Sequence, residues 1–492
     1  MKSIPLFMSA MGAGIIMAFA GLGVHSYWID ELFTLGSISG DLHNLYQTYL
    51  FNDIHPFLYN TLLYLWVQVF GVNEAGTRAF SLFCSLLTAL YVWQRGRQLL
   101  NPGMLALYLL LFLTSYGFIH FALQARSYAL LIMLSTMQSF EFIYNLRGEK
   151  NKGRFYLLCI LVCWTHFIGL FFTAALFAAR LLRVEGRVRQ LVEYTLVMLV
   201  SSSHFIIIML MSGFEGKNDW VPLIAPLDQI YNTIHLVFPI THFPKYVVGD
   251  TVNSLLITLA FIGICAFPLL QRGTESPLAE RKTYIYGLLV PLGLFIVITA
   301  IISLRKPVQL DRTMYICSPL VLFIAVVFLE RLKGAGKILA VVIVIPSLLS
   351  AYKNIYYQND DYMSGNEAYD QSTLYAIATC NDGNTVGSLN GSPTHPEWRY
   401  LDFYLHKYNG MMINPRCQAL WQRFDPRTSR PDLVQFNHPT AARLALAKPL
   451  LDAGYRQVDQ PGPHRDYNIG ALASPAYVQR TGVKTRELSV IR

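Results

Sequence analysis

Between Ser3 and Thr77 the chain has no lysine or arginine. Charge is scarce throughout: 14% of the 492 residues are charged and 53% are hydrophobic, whereas soluble proteins carry roughly 25% charged residues. That scarcity argues against a string of ordinary soluble domains, and much of the surface must face lipid. The sequence contains no G-x-G-x-x-G fingerprint and no P-loop, so those two kinds of nucleotide machinery are missing. No internal repeat of roughly 20–50 residues is visible, which sets solenoids and propellers aside. Cysteine is sparse, with seven in all. Cys84, Cys159, Cys163, Cys265 and Cys317 lie in or beside apolar runs, lack metal-ligand spacing, and read as small core residues. Cys380 and Cys417 lie in the polar C-terminal third, and their pairing depends on which side of the membrane that part occupies. The net charge of +9 is not gathered into a patch that would suit nucleic acid. Its lysines and arginines come in short clusters between apolar runs, as in the loops of membrane proteins.

What is present is a series of long apolar runs. A bilayer core of about 30 Å needs roughly 20 apolar residues per helix. Candidate spans lie near 4–26, 77–94, 103–121, 126–144, 155–167, 169–182, 191–211, 251–270, 284–302, 314–330 and 338–352. Two of these eleven are short and are joined through "WTHFIG". Ala18-Phe19-Ala20 has the small residues of a cleavage site, but the aromatic boundary at Tyr27-Trp28 comes later and favours an uncleaved anchor.

The run from Pro56 to Phe70 reads differently. It would reach about 24 Å at most, and Asn60, Tyr64 and Gln68 form a polar stripe down one side. Pro56 suits a first turn, with Asp53 nearby as a cap. This is an amphipathic helix expected to lie in the interface. Charge supports that choice. With this helix flat, the connections on the N-terminal side hold 17 Lys and Arg, against 7 on the other side before the C-terminal part. The positive-inside rule then puts the N-terminus in the cytoplasm and the C-terminus outside.

After about Tyr352 the composition turns polar. "NEAYDQSTLYAIATC", "EWRYLDFYLHKY" and "PTAARLALAKPLLDAG" have helical spacing, and "NTVGSL" reads as extended. The expected architecture is an α-helical polytopic membrane protein of about eleven transmembrane helices, with juxtamembrane helices in its first outer loop. It places a transmembrane domain over residues 1–352 and an extracytoplasmic α/β domain over 353–492.

Asp30, Glu31, Asp41, Asp53, His55 and His166 fall on the outer side, together with Arg126, Arg305, Lys306 and Arg312 at or next to helix ends. Ionisable residues at membrane depth cost several kcal/mol unless paired or facing a polar cavity. Cations for a phosphate beside a carboxylate for proton transfer are the mixture a lipid-linked phosphate would need. Each has a plainer reading. Asp30 and Glu31 can cap the helix "ELFTLGSI", Arg126 can snorkel, Arg305, Lys306 and Arg312 can pair in a wet loop with Asp311, and His166 can be a hydrogen-bonded turn histidine. The outer connection 214–250, with its prolines and aromatic clusters, reads either as a flap or as a surface re-entrant segment.

The order "W-x-D-E", "D-x-H-P-F-L-Y", "F-G-V-N-E-x-x-x-R-x-x-S" and "A-x-x-A-R-S-Y-A" resembles the GT-C glycosyltransferases. It is most similar to the branch with protein O-mannosyltransferases and lipid A aminoarabinose transferases. The resemblance runs over about residues 1–180, echoes weakly in "DRTMY" at 311–315, and does not reach the C-terminal part. It implies a transferase moving a sugar from a polyprenyl-phosphate donor to an acceptor hydroxyl on a glycan, lipid or protein. The setting would be the outer face of a bacterial inner membrane, at the lipopolysaccharide or cell envelope, with membrane lipid around it and no nucleic acid. Carried over by motif, Asp30 is the catalytic base, Glu31 its neighbour and Asp53 a further catalytic acid. His55, Arg126 with Tyr128 of "ARSY", His166, Arg305, Lys306 and Arg312 fall to substrate binding. No cofactor is required, and a divalent metal between Asp30, Asp53 and His55 is left open. Two other readings stay open, a transporter or flippase of lipid-linked glycans and a ligase or polymerase of them. A transporter would show inverted repeats and charges at mid-membrane, and here the charges gather at the rim.

Overall fold

The computed structural model describes residues 4–25, 27–38, 40–51, 55–148, 151–183, 187–211, 226–234, 237–238, 250–270, 277–305, 308–357, 374, 377–389, 407, 424–437, 441–458 and 469–486. It divides into two compact units: Met1–Leu22 with Ser37–Tyr356, and Gly23–Gly36 with Tyr357–Arg492.

The first unit is helical. In chain order come α1 (Ile4–Gly21), the end of α2 (Ile29–Ile38), α3 (Leu42–Phe51), α4 (Phe57–Phe70), α5 (Glu74–Gly96), α6 (Pro102–Thr114), α7 (Tyr116–Ala122), α8 (Tyr128–Leu146), α9 (Lys152–Thr165) and α10 (Ile168–Leu181). They are followed by α11 (Arg187–Met211), α12 (Pro226–Ile234), α13 (Asp250–Leu270), α14 (Arg281–Tyr284), α15 (Val290–Ser303), α16 (Asp311–Met314), α17 (Ser318–Arg331) and α18 (Gly334–Tyr357). Local sequence explains the starts. The Asn73, Asn101, Ser115 and Asn151 side chains accept the N–H of Gly76, Met104, Phe118 and Arg154, capping α5, α6, α7 and α9.

By length and apolar composition, six helices among the described residues can cross a membrane, or seven if the bent pair α6 and α7 is one span. The protein is a multi-pass membrane protein with fewer long spans than the eleven expected. The difference has local causes. The expected span 103–121 is broken at Ser115, where α6 and α7 meet at 52°. Ser115 caps the new helix, and Gly117 brings its backbone against the Tyr315 ring, where a Cβ would collide. Helix α8 is long enough, but it carries Gln138, Ser139, Glu141 and Asn145, all buried. Helices α1, α9 and α10 are short; α1 ends at Gly21 rather than continuing to 26. The expected span over 284–302 is kept, although its helix is not uniform. Pro291 has no N–H for the Gly287 carbonyl, and the chain forms a π-turn over Ile285–Leu289 just before it.

Helix α4 buries Tyr59, Leu63 and Val67 in one stripe, next to the polar stripe of Asn60, Tyr64 and the exposed Gln68. Helix α17 is buried along most of its length. At the far end of α8 and α9 from Tyr128 and Thr165, a charged clamp joins three helices. Glu141 of α8, 1% exposed, meets Arg95 of α5 and Arg154 of α9, each at 3.3 Å, and accepts the Tyr91 hydroxyl at 3.0 Å. Arg95 also lies over the Tyr144 ring, 4.3 Å from its centre.

The second unit holds a five-stranded sheet in the order β1-β2-β4-β3-β5: β1 (Val386–Ser388), β2 (Leu433–Asn437), β3 (Arg456–Val458), β4 (Ile469–Ala473) and β5 (Thr485–Arg486). β1 runs parallel to β2, and the other pairings are antiparallel. Helices α19 (Ala441–Asp452) and α20 (Pro475–Thr481) accompany it. "NTVGSL" supplies β1 and "PTAARLALAKPLLDAG" supplies α19, while nearly all of "EWRYLDFYLHKY" lies outside the described residues. Val434 and Leu472 pack with Phe424, Leu450 and Tyr455 in a small core. Gly387 admits the Phe424 ring where a Cβ would clash. Cys380 is disulfide-bonded, and Cys417 lies outside the described residues.

Candidate functional site

The bend between α9 and α10 gathers five of the ten site residues singled out above. Helix α9 stops at Thr165 because His166 is extended, with φ −157 and ψ 141. His166 Nδ1 accepts the Ile168 N–H at 3.3 Å and so helps start α10. Gly169 packs onto the Val162 carbonyl, an approach that a Cβ would block. His166 is 1% exposed. The His55 ring stands edge-on to it at 5.3 Å, and the Tyr128 ring lies at 5.9 Å.

Two arginines bear on this histidine. Arg126 is buried in the turn before α8, and Arg312 is half-buried in α16; the charges of both act on His166, as does His55. Arg312 also acts on His120 of α7. A tight turn fixes α16: Thr313 Oγ1 accepts the Leu310 N–H at 2.9 Å and donates to the Val308 carbonyl at 2.8 Å. Asp311 accepts the Arg312 N–H at 2.7 Å. Phe121 packs between Tyr128 and Tyr315, with ring centres 4.9 and 5.1 Å away, tying the arginine-bearing turns together.

His55, Arg126, Tyr128, His166 and Arg312 therefore share one part of the first unit. Arg305 does not join them; it is exposed at the end of α15. Asp53 and Lys306 lie outside the described residues. Asp30 and Glu31 belong to the second unit. There Glu31 Oε2 accepts the Trp28 N–H at 3.1 Å, reaching back from the third position of α2 to its cap, which is half of a capping box. Asp30 occupies the second position of that turn and is partly exposed.

His120 and Gln124 were not singled out by sequence. The Gln124 amide hydrogen-bonds His120 Nε2, and Ser81 Oγ donates to the Gln124 carbonyl. The signal was present as two polar residues four apart, just before "ARSY". Among the described residues no group of three or more His, Cys, Asp or Glu is placed to hold a metal ion. The set Asp30, Asp53 and His55 includes a residue outside them.

His55, Tyr128 and the buried His166, with two guanidiniums, suit an anionic group presented among apolar surfaces. This defines a multi-pass membrane protein with a candidate anion site. No family model matches the chain, and no curated protein matches it. Among solved structures it is similar to ArnT from Cupriavidus metallidurans, in the apo state and bound to undecaprenyl phosphate. Both share 12% identity, TM-score 0.48, and coverage of 96% of this chain and 98% of that one. It is also similar to the archaeal oligosaccharyltransferase AglB from Archaeoglobus fulgidus in complex with an inhibitory peptide and a dolichol-phosphate. There the identity is 12% and the TM-score 0.44, covering 96% of this chain and 74% of that one. Likenesses of this degree do not decide function, which has to be argued from the residues.

Proposed function

We propose that the protein is a polyprenyl-phosphate-sugar-dependent glycosyltransferase that moves a sugar to an acceptor hydroxyl on the outer face of the membrane. The observation that carries this reading is the pair of arginines, Arg126 and Arg312, both acting on the buried His166 beside His55 and Tyr128. Two guanidiniums in a largely apolar setting match the phosphate of a lipid carrier, and arginine binds phosphate bidentately.

In the proposed reaction the acceptor oxygen attacks the anomeric carbon, its bond to the carrier phosphate breaks, and the configuration inverts. Asp30 takes the acceptor proton, which supplies roughly 10²–10⁴-fold. Arg126 and Arg312 offset the charge that grows on the departing phosphate. Tyr128 and the two histidines line the carrier phosphate's place, and Asp53 is the second carboxylate. Glu31 keeps the turn that carries Asp30 in shape through its bond to the Trp28 N–H. No step is assigned to a metal.

The topology that serves this reading has eleven spans, α4 flat in the outer interface, the N-terminus in the cytoplasm, and the 353–492 domain in the periplasm of a bacterial inner membrane. It rests on the positive-inside bias. Purified protein given a synthetic polyprenyl-phosphate sugar and membrane glycan, lipid or protein acceptors should transfer the sugar, with the anomeric configuration inverted in the product. Failure to release carrier phosphate with any such donor, under conditions in which the protein binds the carrier, would refute the proposal.

A further inference from the structure

About one helical turn before His166, four helices bury a second polar group. Gln138 of α8 donates to Thr173 Oγ1 of α10 at 2.9 Å and lies 3.2 Å from Cys159 Sγ of α9. Thr173 Oγ1 is 3.6 Å from Cys163 Sγ. Ser201 of α11 stands beside that same sulfur, and His204 follows one turn further along α11. All six side chains are closed off, with His204 1% exposed and Gln138 and Ser201 0%.

This corner is not satisfied from within. Among the described residues, Gln138 Oε1, Ser201 Oγ and both ring nitrogens of His204 reach no hydrogen-bond partner. The Ser201 carbonyl lies near the imidazole on the same helix without meeting hydrogen-bond geometry. A thiol is a weak partner and does not replace the bond that the serine hydroxyl lacks. Dry buried polar atoms are costly, and those without protein partners are the places where internal water is held.

The six side chains include no carboxylate, ammonium or guanidinium, so the corner suits a neutral ligand. It offers an acceptor in Gln138 Oε1, a rotatable hydroxyl in Ser201, and one donor and one acceptor on a neutral imidazole. Water matches that set. We propose that α8, α9, α10 and α11 enclose an internal hydration site, with water hydrogen-bonded to Ser201, His204 and Gln138. Cys163 precedes His166 by three residues, so the wet corner lies about one helical turn from the bend that carries the candidate site, on the bundle side of it.

Radiolytic hydroxyl labelling of the full chain in lipid nanodiscs tests this, because radicals formed from trapped water oxidise the nearest sulfur. Cys163 should be oxidised faster than Cys84, an equally buried thiol at 2% exposure in α5. In Ser201→Ala/His204→Leu the Cys163 rate should fall to that of Cys84, and Ser201→Ala alone, a change of one atom, should lower it part of the way. A Cys163 rate no higher than that of Cys84 in the unaltered protein, or one unmoved by Ser201→Ala, overturns the proposal.

Discussion

The imidazole of His55 stands edge-on to that of His166, with ring centres 5.3 Å apart and planes inclined by 70°. One ring lies just before α4 and the other at the α9–α10 bend, so this contact links two stretches 111 positions apart in sequence. Edge-to-face ring pairs contribute about 0.5–1.5 kcal/mol beyond area burial. A double-mutant cycle with His55→Ala and His166→Ala, read by thermal unfolding, should show coupling of about that size. Strict additivity would mean that the rings do not support each other.

The two arginines should be separable from surface charge. Arg126→Ala removes a charge-assisted contact of about 1.5–3 kcal/mol, and weaker carrier-lipid binding should accompany the loss of turnover. Arg312→Ala should act in the same direction. Lysine at either position should recover only part of the loss, since it lacks the planar fork. Arg305→Ala, at an exposed helix end, should leave carrier binding nearly unchanged. A titration of undecaprenyl phosphate against the five variants distinguishes these cases, and equal effects from Arg126 and Arg305 would count against the assignment.

Glu141 is a buried carboxylate held by Arg95 and Arg154. Removing both cations leaves it uncompensated, and breaking a buried pair costs about 3–5 kcal/mol. Arg95→Ala/Arg154→Ala should therefore lower the unfolding temperature sharply. Adding Glu141→Gln to that background should recover much of the loss, because the stranded charge is gone. If the third substitution gives no recovery, the arginines act through packing instead.

In the second unit, Asp432 accepts the Thr385 N–H at 2.8 Å and its hydroxyl at 2.9 Å, and pairs with Arg480 at 2.8 Å. Burial works against the charged form, but these hydrogen bonds outweigh it and hold the carboxyl below the usual carboxylate range. Its folded pKa thus lies below the unfolded value of about 3.9. The stabilisation is complete above that value and is lost as pH falls through the folded pKa. Asp432→Asn should weaken protection of the β2 amides by about 1.5 kcal/mol at neutral pH. Once the pH falls below the folded pKa of Asp432, the two proteins should converge. A gap that is the same at both pH values would exclude this linkage.

Much of this architecture was legible because its causes are local. Asn and Ser caps, long apolar runs, and the change of composition near Tyr352 can all be read from neighbours in the chain. The "WTHFIG" break was visible for the same reason, since a histidine and a glycine interrupt an apolar stretch. The Ser115 bend was not, because it depends on Gly117 meeting Tyr315, almost two hundred residues away. His120 escaped notice in the same way, as its importance comes from Arg312 in another helix. Glu31 was grouped with Asp30 by adjacency, yet within one helical turn the two point to different tasks. Glu31 reaches back with its carboxylate to the Trp28 N–H, and Asp30 accepts the Thr34 hydroxyl on its backbone carbonyl.

That difference makes the Asp30 and Glu31 substitutions the sharpest test of the proposed chemistry. Asn at position 30 keeps the size and polarity of Asp but cannot take up the acceptor proton. Asp30→Asn should therefore cut transfer by roughly 10²-fold or more while leaving carrier-lipid binding and the unfolding temperature in place. Glu31→Gln retains an oxygen able to accept the Trp28 N–H, so it should cost little in either measure. Glu31→Ala removes that bond and should destabilise the turn by about 1 kcal/mol, with activity falling only as folded protein is lost. The decisive comparison is transfer per folded molecule from a synthetic polyprenyl-phosphate sugar across the three variants. If Asp30→Asn turns over normally while Glu31→Gln does not, the roles are reversed. If neither matters, the proton goes to another carboxylate, and Asp53→Asn becomes the variant expected to be inactive.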